Sequence, residues 1–215
     1  MALAAAIGCG GKSDSATGNG SSKDDSTKTG SSADEAKAKP PAIPLVEIDT
    51  TLGKIVVRLN PQKAGITVNN FLQYVNDGFY DQTIFHEVNR GYAVLGGGYT
   101  QDMSLKKARP SIRNEAHNRL KNVRGTIAMV RQPDVIDSAT SQFMFNLADN
   151  PQLDYKNAET AEGYGYCVFG EVVEGMDVLT KIGEQKVHDV TVPNGAPFYA
   201  VPVEPIIIRS IKQIQ

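Results

Sequence analysis

From residue 43 onward, apolar side chains recur at two spacings. Residues 45–49 alternate apolar and polar, as do residues 55–59, with Thr50-Thr51-Leu52-Gly53 between them. That pattern predicts two half-buried strands joined as a β-hairpin. Val68, Phe71, Leu72 and Val75 fall at i, i+3, i+4 and i+7, which predicts an amphipathic helix. Thr67 suits its N-cap, and Gly78 stands where a left-handed C-terminal residue is wanted. A second short helix is expected from Gly175 or Met176 to Ile182, stopping at Gly183. Short β-rich runs occupy residues 125–130, 142–147, 166–173 and 206–211. Pro193, Pro197, Pro202 and Pro205 mark the last long connection as irregular. Many short strands and only two helices predict a mainly β chain, a closed barrel or a sandwich.

The pattern stops abruptly toward the N-terminus. Residues 10–40 hold no Ile, Leu, Val, Met, Phe or Tyr, and five lysines balance five acids. Such a segment cannot bury enough apolar surface to offset its chain entropy. The expected organisation is therefore a short apolar segment at 1–9, a disordered Gly/Ser/Lys/Asp linker at 10–42 and a folded domain at 43–215. A net charge of −2 leaves no basic surplus for phosphate backbones, so nucleic acid is excluded as the expected partner. No run of 18 apolar residues exists to span a bilayer.

Residues 1–9 end in Ala6-Ile7-Gly8-Cys9, which resembles the lipobox of bacterial lipoproteins, where the cysteine is lipidated. The apolar run before it is short and lacks a positive flank, so the natural start is expected to lie upstream of Met1. The polar segment after Cys9 would serve as a tether with an r.m.s. span of roughly 30 Å. This reading expects a monomer anchored through Cys9 in the bacterial envelope and facing the periplasm or the exterior. The alternative is an incidental cysteine on a soluble secreted or cytoplasmic protein.

Ordinary catalytic patterns are missing. Gly96-Gly97-Gly98 lacks the Lys-Ser/Thr of a P-loop, and close backbone packing is the expected reason for it. His86, His117 and His188 have no metal-ligand spacing, so neither metal nor cofactor is expected. Cys167 lies in the apolar run Tyr166-Cys167-Val168-Phe169, where a buried inert thiol is expected.

What remains is a chain of motifs in a fixed order. Phe71-Leu72, Gly78-Phe79-Tyr80, Thr83-Ile84-Phe85-His86, Gly91-Tyr92 and the glycine run come first. Asn114-Glu115, Arg124-Gly125-Thr126-Ile127-Ala128-Met129, Ser141-Gln142-Phe143 and Gly165-Tyr166-Cys167-Val168-Phe169-Gly170-Glu171 follow. In order and spacing these resemble the cyclophilins, most closely the bacterial branch, over nearly all of residues 45–215. The resemblance implies a closed eight-stranded antiparallel β-barrel capped by two α-helices. It also implies peptidyl-prolyl cis-trans isomerase activity on proline-containing polypeptides.

The same resemblance assigns a site. Glu87, Tyr92 and Gln142 fall at its catalytic positions, and Val130, Met144, Leu153 and Tyr166 at its substrate-binding positions. Several of these depart from the family. Glu87 replaces an arginine that, in the family, donates toward the prolyl nitrogen as amide resonance is lost. An ionised carboxylate only accepts. Leu95 stands for a glutamine, Ala93 for a methionine, Met144 for a phenylalanine and Gln152 for a Trp or Phe. Glu87 could instead point to solvent, or Arg90 or Arg131 could reach into the site. Three functions follow: an isomerase of reduced rate acting on envelope or extracytoplasmic polypeptides, a module that binds proline-containing segments without turnover, or a scaffold.

Overall fold

A computed structural model describes residues 43–192 and 197–215. The expected linker and the lipobox-like segment with Cys9 lie outside the described residues. The chain order is β1 (Leu45–Thr50), β2 (Gly53–Leu59), α1 (Gly65–Asn76), β3 (Thr83–Asn89), β4 (Ala93–Thr100), β5 (Thr126–Met129) and β6 (Phe143–Asn146). It continues through α2 (Ala161–Tyr164), β7 (Val168–Glu174), α3 (Met176–Gly183), β8 (Val187–Thr191), β9 (Pro197–Pro202) and β10 (Ile206–Gln213). Eight strands close a barrel in the order β1-β10-β3-β4-β6-β5-β7-β2, and β8 and β9 form a separate two-stranded ribbon. Every pairing is antiparallel. The expected closed barrel is thus the observed one.

Strand alternation sorts the side chains. Phe143 and Phe145 join the main core with Ile127 and Phe169, whereas Met144, between them, joins a second cluster on the outside of the barrel. Phe71 of α1 plugs one end, with its ring 5.8 Å from Phe143 and 5.2 Å from Phe169. The glycine run answers to close packing, as expected. A β-carbon on Gly96 would lie 2.7 Å from the Phe85 ring, and one on Gly97 2.6 Å from that of Phe143. Gly97 also sits at φ +81°, a conformation open to glycine.

Four expectations need correction. Thr67 does not cap α1, because the helix starts at Gly65 with Ala64 at its N-cap. Its free donors are taken instead by Glu115, whose carboxylate accepts from the amides of Ile66 and Thr67 and from the Thr67 hydroxyl at 2.7–3.2 Å. That carboxylate also suits the positive end of the helix dipole. A third helix, α2, is a single turn capped by Thr160, whose hydroxyl accepts from the Gly163 amide at 3.0 Å. It is too short for any periodicity to show. The proline-rich connection is also not wholly irregular, since β8 and β9 pair from Val187↔Pro202 to Thr191↔Pro197. Pro197 and Pro202 occupy the two ends of β9, an edge strand, where a missing N–H is tolerated. Finally, β3 and β4 are full strands that the apolar pattern alone did not mark. Gly78, at φ +63°, ends α1 as expected, and α3 runs Met176–Gly183.

Candidate active site

One irregularity in β3 sets the site. Its register with β4 shifts between Phe85↔Gly96 and Glu87↔Leu95, so His86 is an extra residue in the ladder. Such a bulge re-aims the side chains beside it. Phe85 stays in the barrel core, while Glu87 pairs with Leu95, a member of the outer cluster. The row continues through Leu95↔Met144, Met144↔Ala128 and Ala128↔Val168, crossing five strands on one face. Val130, Leu153 and Tyr166 complete this apolar shelf, and Tyr92 packs on its edge. The structure therefore brings all the substrate-binding positions together. Met144 is wholly buried and forms the floor.

Gln142 and Tyr92 border the shelf. Gln142 precedes β6 and lies flat over β4, where a β-carbon on Gly98 would come within 2.5 Å of its Cγ. The absence of a side chain at residue 98 is thus what seats the Gln142 amide. Tyr92 is held from below, because its carbonyl accepts from Leu147 N at 2.9 Å and from Asn150 Nδ2 at 3.0 Å. Gln152 is exposed, and its Nε2 lies 3.4 Å from Asn150 Oδ1.

Beneath the shelf runs a polar network that the sequence reading missed. Asn146 Nδ2 donates to Thr126 Oγ1 at 2.9 Å and to Asn122 Oδ1 at 3.2 Å. Asn122 in turn donates to Asp154 Oδ1 and to the Leu153 carbonyl, fixing the segment that carries Leu153. Asn122, Asn146, Asn150 and Asp154 are all buried. The signal available was the density of Asn and Asp over residues 146–154.

Glu87 is half-buried. Asn89 Nδ2 donates to its Oε1 at 2.6 Å. Burial raises the Glu87 carboxyl above the usual carboxylate range, and the Asn89 bond only partly opposes this. The Tyr92 and Tyr99 hydroxyls are also raised, first by burial and then by the facing Glu87 carboxylate. Glu87 therefore belongs to the site and not to the solvent face.

Neither arginine rescues it. Arg90 Nη2 donates to the Glu184 carbonyl at 2.8 Å, away toward α3. Arg131 is 3% exposed, and its guanidinium stacks on Tyr166 at 4.6 Å. It donates to the carbonyls of Gly165, Gln132, Pro133 and Ala161. Four of the five N–H donors of its planar fork are committed to backbone.

Two other groups are inert by burial. Cys167 lies 3.4 Å from Thr67 Oγ1, and burial pushes its thiol up to about 12, as the expected inert cysteine. His86 packs on Tyr99 at 4.7 Å, and Phe198 of β9 meets Tyr99 at 5.1 Å. The imidazole is pushed down to about 3 by burial, and Nδ1 has no hydrogen-bond partner among the described residues.

The site is thus an apolar shelf on the outside of a closed eight-stranded barrel, bordered by a tyrosine and an amide. The sequence matches the family described as Cyclophilin type peptidyl-prolyl cis-trans isomerase/CLD over residues 45–213. It is 46% identical over 170 residues to peptidyl-prolyl cis-trans isomerase A of Dickeya dadantii, covering 79% of this chain and 84% of that protein. It is 44% identical over 167 residues to peptidyl-prolyl cis-trans isomerase B of Escherichia coli, covering 78% of this chain and 98% of that protein. A cyclophilin type peptidyl-prolyl cis-trans isomerase of Cryptosporidium parvum, solved in the presence of the dipeptide Ala-Pro, shares the fold. Its TM-score is 0.63 at 22% identity, covering 80% of this chain and 99% of that one. The chain belongs to the cyclophilin-type peptidyl-prolyl cis-trans isomerases.

Proposed function

We propose that this chain turns X-Pro bonds in polypeptides of the bacterial envelope or exterior, at a rate limited by Glu87. The observation that carries the reading is the shelf itself, apolar side chains from four strands in one row with Gln142 at its border. Amide resonance gives a rotation barrier near 18–20 kcal/mol, and X-Pro bonds exchange in tens to hundreds of seconds unaided. Lowering that barrier needs no nucleophile. The shelf would hold the proline ring by burying its carbons, and the Gln142 amide would hold a flanking carbonyl. Groups fixed in place before the bond twists stabilise the twisted state without reorganising. Glu87, where the family has its arginine, offers a proton acceptor in place of a cation, so a slow enzyme is expected at neutral pH.

The test is NMR exchange of an Ala-Pro-Phe peptide with the full chain. Acceleration over the free peptide is expected, and Gln142→Ala should reduce it by about fivefold to tenfold, the worth of one hydrogen bond near 1 kcal/mol. Unfolding curves of the two proteins should coincide, because Gln142 is only half-buried. Peptide shifts without acceleration would favour a binding module, a reading that the missing cation at residue 87 also supports. No interaction at all would leave a scaffold.

The placement in the envelope rests on Ala6-Ile7-Gly8-Cys9 followed by a polar segment. Mass spectrometry of the protein from its native cells should show an acylated Cys9 in the membrane fraction. An unmodified Cys9 in a soluble fraction would end that part of the proposal.

A further inference from the structure

The residue that departs most from the family has an environment that suits a different chemistry. Glu87 sits at the end of the shelf row, directly across from Leu95, and is turned to the outer face by the bulge at His86. Its Oε1 is occupied by Asn89, while Oε2 has no hydrogen-bond partner among the described residues. No cation pairs with it among the described residues. Over the stretch that pairs with β3, β10 offers only Ile206, Ile207 and Ile208. From β4 comes Tyr99, from the turn before it Tyr92, and β9 contributes Tyr199 as its one titratable group. Within β3 itself, His86 is held neutral by burial. Arg90 is turned to the Glu184 carbonyl, and Asp177 and Lys181 of α3 pair with each other at 3.3 Å. A half-buried carboxyl near two tyrosine hydroxyls and without a counter-ion is stabilised in its neutral form.

We propose that Glu87 serves the isomerisation as a neutral carboxylic acid, Oε2–H donating to the prolyl nitrogen as the peptide bond twists, so that the enzyme is switched on by mild acid. This deepens the reading above and rests on it. No proton changes owner in the step: the O–H bond stays intact and the hydrogen bond forms when the nitrogen regains its lone pair. Asn89 holds the other oxygen, which leaves Oε2 as the one to carry the proton. At alkaline pH the same group is an acceptor facing an acceptor, and the site is mismatched to its twisted substrate. Carboxylic acids held neutral in apolar sites do donate in this way in other enzymes.

The experiment is the exchange rate of the Ala-Pro-Phe peptide with the full chain between about pH 8 and pH 5.5, beside Glu87→Gln and Glu87→Arg. Above the carboxyl's own range the neutral fraction grows about tenfold for each unit by which the pH falls. The expected result is a rate that rises at least tenfold across the range for the natural protein. Glu87→Gln, whose amide donates at every pH, should be nearly flat and faster than the natural protein at pH 8. Equal slopes in the natural protein and Glu87→Gln, or a flat profile in the natural protein while Glu87→Arg turns over, would overturn the acid-donor proposal and leave the isomerase reading standing. Silence of all three proteins at every pH, with circular dichroism showing each folded, would overturn the isomerase reading and this proposal with it.

Discussion

Replacing Arg131 by methionine is expected to lower the stability of the domain by about 3–5 kcal/mol, although the residue lies at no reacting position. Methionine keeps much of the apolar stem but leaves the carbonyls of Gln132, Pro133, Ala161 and Gly165 without the guanidinium donors. A buried acceptor stranded in this way costs about 1–3 kcal/mol; Gly165 is buried and the other three residues are half-buried, and water or Asn114, which also donates to Gly165 O at 3.1 Å, recovers some of it. The stack on the Tyr166 ring is lost as well. Urea unfolding checks the figure, and the melting temperature should fall by roughly 10 °C. Arg131→Lys should lie between, since one ammonium cannot span a fork of four carbonyls. A loss under about 1 kcal/mol would mean that residues 132–133 and 161–165 are held by something other than this side chain.

The second large effect is on rate. Glu87→Arg is expected to speed exchange of the Ala-Pro-Phe peptide by about 10- to 150-fold at neutral pH, the worth of one charged hydrogen bond of roughly 1.5–3 kcal/mol made mainly in the twisted state. The gain should appear in kcat more than in KM, because the flat ground-state amide does not call for the donor. Tyr92 and Tyr99 lie near the position the new cation would take, and no charged neighbour on β4, β9 or the paired stretch of β10 opposes it. A rate unchanged within twofold would show that residue 87 is not where this site stabilises the twisted bond.

Much of this was legible in the chain, and the reasons are specific. The hairpin of β1 and β2, the stripe of α1 and the stop at Gly78 follow from local spacing, which responds to burial on one face. The shelf was reached through motif order, since Val130, Met144, Leu153 and Tyr166 are scattered over 37 positions and meet only through strand pairing. What escaped was non-local or opposed by composition. The cap of α1 comes from Glu115, some fifty residues on, so Thr67 was preferred on local grounds. The ribbon of β8 and β9 was hidden by its prolines, which forbid a central strand and not an edge. The direction of the Glu87 side chain depends on a bulge, and a one-residue slip in register leaves no mark in the pattern. Arg131 gave no sign of its four carbonyl partners, because backbone acceptors have no letter in a sequence.

The seam of the barrel also bears on how the protein comes into being. β1 is flanked by β2 on one side and by β10 on the other, with Val46 opposite Gln213. Among the described strands, the first to leave the ribosome therefore waits for the last before its outer edge is paired. At translation rates of about 5–20 residues per second, that edge stays open for roughly ten seconds or more. An unpaired edge is a template for another chain. A member of a prolyl-isomerase family thus passes through a vulnerable interval itself, and a C-terminal truncation before residue 206 would make that interval permanent.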